Sequence, residues 1–286
     1  MPKILIAVSS CWKDLQSNQA IRDTWAKRLP ANWDLRFFLG SRNFTEEEQA
    51  RLFTPEWIGS PGTLGNLAAP TAKKAVIGKK EDLKNDEIIV DCPDSYLGLP
   101  WKTTASLEWA ISRDYAGVFR IFVDTYLFPD RLALSDYAHN DAIGWMFGCG
   151  PCPAHPDSHH LCPLGGAGYW LSRKACEIVV ADEVKHWGED TFVGYALHKA
   201  GIEMKHDFRY VYSEHESPQM NRSKFSIHLN DRGTAWNPQL MLDTHEAQEK
   251  GREIWPQWDG TCKRDGSTFI VQHPRGPRCK QCGVFV

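Results

Sequence analysis

Three groups of side chains could carry chemistry in this sequence. Asp124 closes the apolar run FRIFV at 119–123. A carboxylate just past the end of a buried strand stands where open α/β sheets bind ligands, although the plainer reading is a residue that caps a turn. Glu189 and Asp190 open the helical stretch EDTFVGYALHK, where the helix dipole alone favours acids. Cys262, His273, Cys279 and Cys282 are spaced C-x10-H-x5-C-x2-C. That donor set suits a tetrahedral structural Zn2+ in a tail with little core of its own. Cys149 and Cys152, followed by His155, His159, His160 and Cys162, offer a second such cluster. Disulfides are the rival reading for both if the protein is exported.

The chain that must position these groups has 286 residues, 42% hydrophobic and 24% charged. Those values describe an ordinary globular protein and exclude a disordered or fibrous one. The length fits one α/β catalytic unit with a small appendage. Lys and Arg number 33 against 36 Asp and Glu, a net charge of −3. No general electrostatic pull toward nucleic acid or an anionic membrane follows, even with a basic tail (Lys263, Arg264, Arg275, Arg278, Lys280). The opening MPKILIAVSSC is too short in apolar residues for a signal peptide, and no stretch reaches the ~20 that a membrane helix needs. A soluble, cytoplasmic protein is expected, in which clustered Cys and His read as metal ligands first. Nine cysteines leave at least one unpaired. Among twelve tryptophans, Trp170 and Trp187 are candidate platforms for a sugar ring, burial being the commoner fate.

Alternating strands and helices supply the frame. The run KILIAVS at 3–9 has the unbroken apolar character of a strand covered on both faces. A helix is expected over 18–27, a strand over 35–39, and a helix over 46–53 with Thr45 and Glu48 as its capping box. A long loop at 55–78 precedes a strand at 87–90, a helix at 103–113 and a strand at 119–123. Residues 149–163 read as loop, 168–180 as strand into helix, and 189–199 as a helix stopped by Gly201. The pattern predicts an α/β fold with a three-layer, mostly parallel sheet. Sequence texture changes near residue 250, which divides a catalytic domain, 1–250, from a zinc-stapled extension, 251–286.

Four separated segments resemble those of a known family. QAIRDTW at 19–25 is similar to R-x-A-I-R-x-T-W. DCPDSYLGLPWKT at 91–103 is similar to D-F-x-D-x-Y-x-N-L-T-L-K-T, matching at Asp91, Asp94, Tyr96, Leu99, Lys102 and Thr103. GGAGYWLS at 165–172 resembles G-x-G-Y-V-L-S, and EDTFVG at 189–194 resembles E-D-V-x-x-G. In order and spacing these match the β-1,3-glycosyltransferases of glycosyltransferase family 31, the galactosyltransferase and fringe group, over residues 1–215.

The resemblance implies a GT-A type fold, a UDP-sugar donor, and inverting transfer of a hexose or N-acetylhexosamine to a glycan, glycolipid or glycoprotein hydroxyl, β-1,3 linked. It places Asp124 on the third aspartate of the family's D-D-D-V-F-V, the one that binds metal; Phe122 and Val123 replace the first two. It makes His228, in KFSIHLN, the second ligand of Mn2+ or Mg2+, where a lone histidine more plainly makes a structural hydrogen bond. It implies Asp190 as general base, with Glu189 second; the helix dipole depresses carboxylate pKa values, so a useful base must be partly desolvated. Donor binding falls to Ser9 and Ser10 beside the uracil, and to Arg22, Asp91, Asp94, Lys102, Asp124, Gly166 and Trp187. Gly165 and Gly168 would permit close approach near the acceptor. A non-catalytic sugar-binding or scaffold protein on the same fold is the alternative. No nucleic-acid partner is expected, and a bacterial or viral source is.

Overall fold

The computed structural model describes residues 2–41, 84–149, 159–182, 188–211, 224–229, 238–250, 270–273 and 276–279. The expected helix at 46–53 and loop at 55–78 lie outside them. Strand β1 (Ile4–Ser9) is buried at every position. Leu5 and Ala7 serve one core and Ile4, Ile6 and Val8 another, so the run has no polar alternation. Strands β2 (Trp33–Ser41), β3 (Glu87–Pro93) and β4 (Gly117–Phe122) complete a parallel group around it.

After β4 the chain enters β5 (Thr125–Leu127), β6 (Ala142–Gly144), β7 (Met146–Cys149), β8 (His160–Pro163), β9 (Tyr169–Ser172) and β10 (Met204–His206). The main sheet has seven strands in the order β10-β6-β9-β4-β1-β2-β3. Within it β9 runs antiparallel to both of its neighbours. Strands β11 (Tyr210–Val211) and β12 (Ser226–His228) join β5 in a second, three-stranded sheet, β11-β12-β5. In the tail, β13 (Ile270–His273) and β14 (Gly276–Cys279) form an antiparallel hairpin.

Helices α1 (Leu15–Asp23), α2 (Leu99–Ser112), α3 (Pro129–Ala133), α4 (Arg173–Ala181), α5 (Glu189–Lys199) and α6 (Pro238–Glu249) fill the outer layers. Leu107 of α2, Val179 of α4 and Leu197 of α5 close one core; Ile21 of α1, Tyr126 and Ile227 of the small sheet, and Met241 of α6 close the other. The expected three-layer, mainly parallel sheet is therefore present and is compatible with a GT-A-like fold. No helix among the described residues is long and apolar enough to cross a membrane.

Three local expectations change. The first helix stops at Asp23, where the Thr24 hydroxyl donates back to Ala20 O at 2.7 Å, and a 3-10 turn at Trp25–Arg28 follows. Both ends of the presumed loop at 149–163 are strands, β7 and β8, paired as a hairpin. Trp170 is no sugar platform. It is 2% exposed, 4.9 Å from the Phe119 ring and 4.7 Å from the Tyr137 ring, with Nε1 donating to Asn140 O at 3.0 Å. Trp170→Ala is expected to cost ~3–5 kcal/mol of stability in guanidinium unfolding; a loss below about 1 kcal/mol would contradict this packing.

Candidate active site at the carboxyl edge of the sheet

Strand β4 ends at Phe122, level with Ser9 of β1, and the chain turns through Val123 and Asp124 into β5. Thr125 then lies opposite His228 on β12, and Leu229 N donates to Asp124 O at 2.8 Å. This ladder sets Asp124 Oδ2 3.1 Å from His228 Nε2, across 104 residues of sequence. Asp124 Oδ1 is buried with no hydrogen-bond partner among the described residues. Burying such an oxygen costs free energy unless something meets it. An orphaned carboxylate oxygen beside an imidazole nitrogen is a donor set that fits Mn2+ or Mg2+. Phe122 and Val123 add no oxygen: Phe122 stacks under the Arg120 guanidinium at 4.0 Å and Val123 is buried.

Two glycines join this pair to the acids of α5. A Cβ on Gly166 would stand 3.0 Å from His228 Nε2, and one on Gly165 would stand 3.0 Å from both Asp190 Oδ1 and Glu189 Oε2. Only a residue without a side chain lets the groups approach this closely. The Gly166 carbonyl is in turn held by Thr125 Oγ1 at 3.0 Å.

Glu189 is 3% exposed. Its Oε1 accepts from Thr103 Oγ1 at 3.2 Å and from the Tyr169 hydroxyl, and faces Arg120 Nε at 3.4 Å. Asp190 keeps some residue surface, but its carboxyl lies inward and accepts from Gly165 N at 2.9 Å. Burial, then the charge of Glu189 and a hydrogen bond with it, push the Asp190 carboxyl well above the ordinary carboxylate range; the Gly165 N–H and Arg120 pull the other way. Desolvation thus outweighs the helix dipole, which favours the ionised acid. Burial, and next Glu189, also push the Tyr169 phenol well up.

The expected donor-binding residues hold the strand ends. Ser10 Oγ donates to Asn18 Oδ1 at 2.7 Å, and Asn18 Nδ2 to Glu87 Oε1 at 3.2 Å. Arg22 is paired with Asp86 at 2.8 Å and Glu87 at 2.6 Å. Lys102 Nζ donates to Ser10 O at 2.7 Å and to Asp94 Oδ1 at 3.0 Å; Asp94 also accepts from Gly40 N and Trp12 N, each at 2.7 Å. Asp94 thus fixes the Lys102 ammonium, and both cations, Arg22 and Lys102, are held by protein partners. Ser9 is buried, Asp91 is exposed on β3, and Trp187 lies outside the described residues. Sequence reasoning passed over Arg120, Asn18 and Glu87; the signal for Arg120 was a charge inside an apolar run.

Cys149 and Cys162 form a disulfide across the β7–β8 hairpin, and Cys149 Sγ lies 3.9 Å from Thr191 Oγ1. Cys149, Cys162 and His160 have ligand atoms within 4.8 Å of one another, but sulfurs bonded to each other are not the thiolates that bind zinc. His159 is exposed, and Cys152 and His155 lie outside the described residues. The thiols of Cys11, Cys92 and Cys176 are buried, and burial pushes those of Cys11 and Cys92 up to about 12. Of the tail set, His273 ends β13 and Cys279 ends β14, opposite Gly276 and Ile270 respectively. Cys262 and Cys282 lie outside the described residues.

No protein-family model matches the chain. Among curated proteins it is 24% identical, over 228 residues, to beta-1,3-galactosyltransferase 1 of Mus musculus, Gorilla gorilla gorilla and Homo sapiens. Each alignment covers 71% of this chain and 62% of the relative, so the chain spans less than two thirds of the length of the relatives it matches.

Asp190 also predicts a pH signature. Its folded carboxyl keeps its proton to higher pH than the unfolded chain does, so the native state binds more protons in that window. Stability therefore falls as pH rises from about 4 through the folded value. Asp190→Asn should remove this slope and melt higher than the wild type at pH 8. An unchanged slope in melting temperature between pH 4 and 9 would place the carboxyl in water.

Proposed function

We propose that this chain is an inverting glycosyltransferase that moves a hexose or N-acetylhexosamine from a UDP-sugar to a hydroxyl of a glycan, glycolipid or glycoprotein, in β-1,3 linkage. The observation that carries this reading is the meeting of two pairs, Asp124 with His228 and Glu189 with Asp190, around Gly165 and Gly166. The distant likeness to beta-1,3-galactosyltransferase 1 gives the class of chemistry.

In this mechanism Asp190 accepts the proton of the acceptor hydroxyl as its oxygen attacks the anomeric carbon. A carboxylate whose proton affinity is raised toward working pH is a better base than an exposed one. Glu189 stays anchored to Thr103, Tyr169 and Arg120 and fixes the first turn of α5. Asp124 and His228 would hold Mn2+ or Mg2+, which when bound offsets charge on the departing diphosphate. Lys102 and Asp94 lock the ends of β1 and β2, beside which the nucleotide would lie. A second reading, a sugar-binding protein without turnover, is favoured by Phe122 and Val123 standing where two aspartates are expected.

A panel of UDP-galactose, UDP-N-acetylglucosamine and UDP-N-acetylgalactosamine, with and without Mn2+, separates these readings. One donor should raise the melting temperature, by ~2.7 kcal/mol of stabilisation at a hundredfold excess over Kd, and release UDP when acceptor is present. Asp190→Asn should keep the thermal shift and lose about 10²–10⁴-fold in transfer rate. Near-normal turnover in that variant removes the assignment, and binding without turnover in the wild type supports the second reading.

A further inference from the structure

Arg120 is wholly buried in the middle of β4, between α2 and α5. Its Nε donates to Thr103 Oγ1 at 3.1 Å and faces Glu189 Oε1 at 3.4 Å. Among the described residues, neither of its terminal nitrogens has a hydrogen-bond partner. Burying a half-satisfied guanidinium is costly, and apolar replacements of buried ion pairs are often neutral or stabilising. Stability alone therefore gives no reason for an arginine here.

We propose that Arg120 is a positioning residue for the transfer reaction: it keeps the negative charge of the acidic pair on Glu189, so that Asp190 is the member that takes the acceptor's proton. The inference rests on the glycosyl-transfer reading. Two carboxylates this close in a dry site cannot both ionise freely and share a proton between them. Their surroundings are unequal. Glu189 faces Arg120 from β4, the Thr103 hydroxyl from α2 and the Tyr169 phenol from β9, whereas the bond to Asp190 comes from the Gly165 backbone. His228 lies across the glycine pair and meets Gly166, with Asp124 beside it at 3.1 Å. The charge thus settles on Glu189. Above the acid limb of the rate profile Asp190 has released the shared proton to solvent; the acceptor O–H bond then breaks and its proton passes to the Asp190 carboxylate. The oxygen bonds to the anomeric carbon, and UDP leaves with the electron pair of the broken C–O bond. Burial and Glu189 raise Asp190's proton affinity and Arg120 lowers it, so losing the arginine charge should make the base harder to free.

The test compares Arg120→Lys, Arg120→Met and the double variant Arg120→Met/Glu189→Gln. Two readouts are taken: transfer rate against pH with donor KM, and titration of the Asp190 side-chain carboxyl by 13C NMR without substrate. Arg120→Lys should keep the acid limb of the rate profile. Arg120→Met should move it up by at least about one pH unit, a tenfold loss of rate below the limb, with donor KM unchanged. The double variant, which carries neither buried charge, should titrate Asp190 below the wild-type midpoint and decides the matter if Arg120→Met does not fold. An unmoved limb in Arg120→Met, or a double variant with wild-type titration, overturns the proposal. If the wild type transfers no sugar, the functional reading fails, and the titration still decides what Arg120 does to the pair.

Discussion

A carboxylate taken out of water must be met by donors, and Glu189 draws them from three elements that approach the edge of the main sheet. Thr103 comes from α2, Arg120 from β4 and Tyr169 from β9. None of these can slide against α5 without stripping the acid. Buried ion pairs add little net stability compared with apolar packing, yet breaking one costs about 3–5 kcal/mol. The cluster therefore acts as a register pin. It sets where the first turn of α5 begins, and so where Asp190 stands.

The second centre is built on a different principle. Asp124 and His228 are brought together by a backbone ladder between two three-residue strands, β5 and β12, whose side chains sink into the core below α1 and α6. The backbone of Gly165 and Gly166 lies between the acids of α5 and the imidazole of β12. The spacing between proton acceptor and candidate cation ligands is thus set by main chain, which varies far less than side-chain rotamers do.

Much of the frame was legible because local pattern and tertiary demand agree. The unbroken apolar run of β1, and that of β4 interrupted by Arg120 alone, fit a sheet covered on both faces, and the acidic first turn and Gly201 bracket α5 as its sequence predicts. Helix α6 was not legible: only Met241 and Thr244 are buried, too few to leave a periodic stripe. The β7–β8 hairpin was hidden by Cys, His and Pro, residues whose pairing depends on a partner strand and a disulfide. At the site, charge could be read but neutralisation could not. Arg22 and Lys102 look available in the sequence, and only the fold shows Asp86, Glu87 and Asp94 against them. Asp124 is legible as a carboxylate past a buried strand and His228 through resemblance alone; their contact is a product of topology.

Strand β9 runs against its neighbours, which has a geometric consequence. In a wholly parallel sheet one rim collects only strand ends, and the beginnings open on the opposite side. Reversing one strand brings the approach to β9, with its glycines, to the rim where β4 departs. The chain leading into the reversed strand and the chain leaving its neighbour therefore meet at one rim. Insertions or replacements in the segment entering β9 would change the chemistry presented at that rim, while the parallel group keeps its hydrogen-bond register.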